Sequence, residues 1–291
     1  MSTMSQLIAT RTNKDACISV ETGVARMPDN LANQGAIIVN ADDWGCDRAT
    51  TDRTLDCFRV GSISSVSAMV FMADSERAAD TACLHGIDAG LHLNFTAPYS
   101  AQNCSRQLME HQQKVARTLT AHRYASALYH PGLAASFEYL VTAQLEEYKR
   151  LYGAAAVRID GHHHMHLCAN VLRQALLPKG CIVRRNLTFS RGEKSYQNRL
   201  YRRMQDRRLA RRHQVADYFF DLNPVEPLAR LRRISELGSH HNVEIETHPI
   251  RDEEYTFLMN DEMQRGAGAM RIANGYVLRS RVPDCTKEIL L

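Results

Sequence analysis

No apolar run in these 291 residues approaches the roughly 18 that a membrane-spanning helix requires, so an integral membrane bundle is excluded as a reading. There is also no C-x-x-C pair. The eight cysteines are scattered, which argues against a thiolate zinc site or a small disulfide framework and predicts isolated buried thiols. Strong charge of one sign is missing too, since the net charge is only +4. The opening residues lack the apolar core of a secretory signal, and a cytoplasmic location is the expectation. No Pro- or Ser-rich linker and no internal repeat divides the chain. A single domain is therefore expected over 36–291, preceded by a polar, aperiodic extension over 1–35.

What is present suits a globular α/β enzyme. Hydrophobic residues make up 44% of the chain and charged residues 23%, enough apolar material for a full core. Short β-branched runs alternate with segments of helical period. AIIVN (36–40), 63–71, 87–94, 155–160, 181–185 and 243–247 read as strands. Segments 47–60, 74–86, the stretch ending at Gly153, 170–177, 227–237 and 252–272 read as helices. Residues 98–135 read as a long loop. Repeated βα units imply mostly parallel strands covered by helices.

Four of the strands carry polar residues at their carboxyl tips. These are Ala41-Asp42-Asp43-Trp44-Gly45, then His92-Leu93-Asn94, then Asp160-Gly161-His162-His163-His164-Met165-His166, and finally Thr247-His248-Pro249. Parallel α/β folds build their sites at that end of the sheet. Asp42 and Asp43, leaving a strand on opposite sides, could divide labour between holding a metal and accepting a proton; Asp before Gly is also an ordinary turn or cap signal. If the histidine segment stays extended, His162, His164 and His166 share one face and His163 takes the other. Four histidines in five residues point to metal binding or catalysis, and spacing alone does not decide which of them ligates.

A basic run stands apart from these tips. From Arg184 to Arg212 there are eleven Arg/Lys against Glu193 and Asp206. It reads either as a solvated helical face or as a site for anions. Arg184 and Arg185 follow a predicted strand, which makes them candidates for an anionic substrate group.

Taken together, VNADDWG (39–45), GLHLN (90–94), DGHHHMH (160–166) and ETHP (246–249) resemble the YdjC-like carbohydrate deacetylase family, in the family's order. Trp44 stands where that family usually has Phe, and Gly161 where Ser is common. The resemblance implies a distorted (β/α) barrel of the polysaccharide-deacetylase type. It implies one divalent metal ion, Zn, Mg or another, held by Asp43, His92 and His162. It further implies Asp42 as general base and His248 as the acid for the leaving amine. His164, His166 and Asn94 become substrate-facing or supporting residues. The expected substrate is an N-acetylated sugar or glycoconjugate, with acetate released; nucleic acid ranks low as a partner, and a homo-oligomer is open. Two rivals stand beside this: another metal-dependent barrel hydrolase (amidohydrolase or phosphoesterase), and a non-enzymatic anionic-surface or nucleic-acid binder acting through 184–213.

Overall fold

The computed structural model describes residues 35–189, 192–260 and 272–278. The predicted extension over 1–35 lies almost wholly outside the described residues. Seven strands form one parallel sheet: β1 (Ala36–Trp44), β2 (Ser65–Ala68), β3 (Ala89–Leu93), β4 (Arg158–Gly161), β5 (Ile182–Val183), β6 (Tyr218–Asp221) and β7 (Asn242–Thr247). Their order is β5-β4-β3-β2-β1-β7-β6, with β2 at the centre and β1 between it and β7. The helices are α1 (Arg48–Arg59), α2 (Ser75–His85), α3 (Arg106–Leu119), α4 (Ala134–Tyr152), α5 (Ala169–Gln174), α6 (Tyr196–Ala210), α7 (Leu228–Gly238) and α8 (Asp252–Met259). The sheet curls into a distorted barrel whose edges meet near a single parallel bridge, Ile182 with Gln214. No described helix is long and apolar enough to cross a membrane.

Local chemistry sets the element ends. The Asp47 carboxylate accepts from the Thr50 N–H at 2.8 Å and starts α1, and the Ser105 hydroxyl does the same for α3. Gly86 and Gly153 close α2 and α4 in left-handed conformations.

Side-chain alternation splits the sheet's residues into two populations. Val39, Ala41, Val66, Ala68, Leu91, Leu93, Ile159, Val183, Val243 and Ile245 belong to the hydrophobic core shared with the helices. The alternate positions hold Asn40, Asp42, Ser65, Ser67, His92, Arg158, Asp160, Glu244 and Glu246, all buried. The barrel interior is thus polar and charged, where barrels of this kind more usually stack branched aliphatic residues.

Two expectations are corrected. The stretch 98–135 is not a loop: it holds α3 and two short 3-10 turns. The buried stripe of α3 is Leu108, Gln112, Val115 and Leu119, and its polar member, which donates to the Ala97 carbonyl, hides the helical period. β6, which no segment of the sequence reading anticipated, is a four-residue strand with only Phe219 fully buried. The closing helix is observed over Asp252–Met259, and residues 261–271 of that expectation lie outside the described residues. Cys46, Cys57, Cys104, Cys168 and Cys181 are free thiols.

Gly90 shows how tightly the interior is packed. A Cβ added there would stand 2.7 Å from the Arg158 guanidinium carbon, and that side chain is itself held by Asn40 and the Val66 carbonyl. Gly90→Ala is expected to cost about 1–3 kcal/mol through overpacking. An unchanged urea midpoint would show that Arg158 is free to move aside.

Candidate metal centre

All seven strands point the same way, so the four tips lie at one end of the barrel. β1 reaches that end irregularly. Its pairing with β2 shifts register between Ala41 and Trp44, and Asp43 adopts φ 63°, a left-handed conformation unusual for a non-glycine residue. Strand alternation would have sent Asp42 and Asp43 to opposite sides. The bulge instead brings both carboxylates to the same imidazole: His92 Nε2 is 3.3 Å from Asp43 Oδ1 and 3.9 Å from Asp42 Oδ2. Gly45, at φ 85°, completes the turn, and the indole N–H of buried Trp44 donates to the Ala78 carbonyl.

The histidine segment does not stay extended. Residues His162–Leu167 form 3-10 turns, with His163 and His164 both left-handed at φ 54° and 56°. The expected shared face of His162, His164 and His166 is therefore lost. His162 Nδ1 lies 2.8 Å from Asp43 Oδ1, and exposed His163 meets the Thr96 hydroxyl. His164 faces Glu246 at 3.5 Å and stands edge-on to Phe219. His166 is fully buried, its Nε2 bonded to the Arg184 carbonyl at 2.9 Å.

Asp43, His92 and His162 thus converge, each offering one ligand atom, all within 4.8 Å of one another. A second convergent group, Asp42 with His92 and Asp160, is wholly buried. Arg184 already occupies it, donating to both Asp42 oxygens at 2.6 and 2.8 Å and to Asp160 at 2.9 Å. A cation placed there would face a guanidinium, so the first group fits an ion better. His92 is prepared for ligation: Asp160 Oδ1 takes its Nδ1–H at 2.8 Å and leaves Nε2 toward Asp43. Electrostatics ask for positive charge at this point. Burial opposes protonation of His92, yet Asp42, Asp160 and Asp43 raise its pKa to about 10. Burial likewise works against ionised Asp43, and hydrogen bonds from His162 and His92 override it, holding the carboxyl well below its usual range. One carboxylate with two imidazoles is a donor set that suits zinc-type ions.

Asp42 is buried and ionised. Burial would raise its pKa, but Arg184 and then His92 pull it below the ordinary value, and Asn40 donates to it at 2.8 Å. His248 follows β7, half-buried, with its backbone N–H held by Glu254 and its Nδ1 buried without a hydrogen-bond partner.

Three of the residues expected to bind substrate or support the site have their polar groups committed within the protein. Asn94 is fully buried and ties its own loop, accepting from Thr96 N and Ala97 N and donating to the Ala97 carbonyl. Arg184 lies inside the barrel, where Asp42, Asp160, Glu244 and Glu246 occupy every guanidinium N–H. Arg185 is anchored to Asp206 and to the carbonyls of Ala216 and Asp217. Asp160, Glu244 and Glu246 were missed as site residues. Their signal was the alternation Arg158-x-Asp160 and Glu244-x-Glu246 inside predicted strands, where a buried strand normally reads apolar.

Fold and donor set together define a parallel (β/α)-barrel protein with a carboxylate–imidazole cluster at the carboxyl ends of its strands. A sequence profile of YdjC-like proteins matches residues 36–280, and the chain belongs to that family. A chitooligosaccharide deacetylase of Yersinia pestis is 28% identical over 138 residues, which is 46% of this chain and 52% of that protein. The Yersinia enterocolitica chitooligosaccharide deacetylase is 27% identical over the same shares. The chain spans about half the length of the curated relatives it matches. In fold, it is similar to a crystal structure of a candidate cellobiose-phosphate cleavage protein from Enterococcus faecalis. The TM-score is 0.57 at 17% identity, over 82% of this chain and 96% of that one.

Burial holds His166 neutral, lowering its pKa to about 3. Below pH ~6.5, the ordinary histidine value, the unfolded chain takes up a proton there that the folded chain refuses. Stability present at pH 7 is therefore lost as pH falls, by about 2 kcal/mol between pH 7 and 5 from this group. Urea unfolding at both pH values should show that much less loss in His166→Gln than in the parent. An identical loss in the two proteins would mean His166 titrates freely.

Proposed function

We propose that this chain is a metal-dependent carbohydrate deacetylase, hydrolysing the N-acetyl group of an amino sugar or glycoconjugate to acetate and a free amine. The observation that carries the reading is the convergence of Asp43, His92 and His162 at the barrel mouth, with a second, ionised carboxylate, Asp42, beside the same imidazole. The family match and the names of the Yersinia relatives support the chemistry.

In this reading Asp43, His92 and His162 hold one divalent ion. When bound, the ion supplies charge that polarises the amide carbonyl and eases deprotonation of water. Asp42 takes the proton as water attacks. Its pairing with Arg184 keeps it ionised, the state in which it can accept, and keeps the carboxylate from swinging onto the ion. His248 donates a proton to the departing nitrogen, with Glu254 fastening the turn on which it sits. His163 and His164 line the rim where a sugar would enter. The anionic-sugar preference drawn from Arg184 and Arg185 falls away, because both are consumed inside the protein. A cytoplasmic location remains part of the proposal.

The test is release of acetate from a panel of N-acetylated sugars, chitooligosaccharides among them, by protein loaded with zinc or magnesium. Asp43→Asn should lose the metal. Asp42→Asn should keep it while kcat drops by about 10²–10⁴, the range for removal of a general base. Metal loss in Asp42→Asn with retention in Asp43→Asn would reverse the two roles. Phosphate release without acetate release would sink the deacetylase reading in favour of a phosphoesterase.

A further inference from the structure

The basic run resolves into two populations. Arg184 and Arg185 turn inward, and Arg202 lies over the Phe189 ring at 5.0 Å while donating to Asn198. Arg203, Arg207, Arg208, Arg211 and Arg212 are exposed and make no ion pair or side-chain hydrogen bond among the described residues. Between Tyr196 and Arg212 the one acid, Asp206, is buried and bonded to Arg185 and Asn186. The outer face of α6 therefore carries positive charge that no ion pair among the described residues neutralises.

That face is also apolar. Tyr196, Leu200 and Met204, 70%, 52% and 43% exposed, recur every four residues and form one row along the helix. Arg203, Arg207 and Arg211 form the row beside it, and Tyr201 adds a second exposed ring. We propose that this face docks on an anionic lipid bilayer, with the guanidinium groups on lipid phosphates and Leu200 and Met204 entering the acyl boundary. Tyrosines flanking such a contact sit well at the headgroup level. A nucleic acid would use the arginines and the tyrosine rings but gain nothing from Leu200 or Met204, which is why the bilayer is the better fit.

Vesicle flotation tests this without any sugar, so its outcome is separate from the deacetylase reading. The full chain should float with phosphatidylcholine vesicles containing phosphatidylglycerol and not with phosphatidylcholine alone, and added salt should weaken the binding. Leu200→Glu with Met204→Glu, and separately Arg203→Glu with Arg207→Glu, should each reduce binding more than about tenfold. All four positions are exposed, and an unchanged urea midpoint checks that each variant folds. Equal behaviour on the two vesicle types, full binding by the Leu200/Met204 variant, or capture of duplex DNA without vesicle binding would overturn the proposal.

Discussion

The Arg184 guanidinium reaches four carboxylates from the middle of the barrel: Asp42 on β1, Asp160 on β4, and Glu244 and Glu246 on β7. It is 1% exposed, and its Nε and both terminal nitrogens are committed. Four acids without it would be buried charges at close range, each carrying a large desolvation penalty. Its place in the chain adds to its effect. It follows β5, a two-residue edge strand, and its contacts cross to β7 beside the opposite edge. Backbone pairing between those edges is thin, so this side chain ties the curled sheet where hydrogen bonds between strands do not. A buried ion pair is often no more stabilising than an apolar replacement of equal shape. Here, however, the acids it holds also orient the site.

Orientation passes outward through Asp160 and Asp42. One Asp160 oxygen meets Arg184 and the Ser67 hydroxyl, and the other takes the His92 Nδ1–H. His92 consequently turns Nε2 to the mouth, where Asp43 and His162 converge on it. Asp42, fixed by the two arms of the same guanidinium, stands beside that imidazole and not across the strand. Two arginines, Arg158 and Arg184, serve four interior acids, and Asp43 adds a fifth at the rim.

Much of this was legible in the sequence, for physical reasons. The helix capped by Asp47 and those closed by Gly86 and Gly153 obey local rules, and polar strand tips follow from parallel topology. What escaped depended on distant contacts or on broken periodicity. Nothing local distinguishes Arg184 from the surface arginines that follow it; only the closure of the barrel turns it inward. The bulge at Asp42–Asp43 and the left-handed pair His163–His164 overturned two arguments built on strict alternation. α3 was hidden by a buried glutamine and β6 by its brevity.

If Arg184 carries the interior in this way, its removal is the most direct test of the account. Urea unfolding of Arg184→Met, which keeps an unbranched apolar stem and discards the charged guanidinium, should show a loss of about 3–5 kcal/mol, the range for breaking a buried ion pair from one side. Arg184→Lys, charged but without the planar fork, should recover only part of that loss. An Arg184→Met protein as stable as the parent would contradict the claim that the buried guanidinium holds barrel and site together.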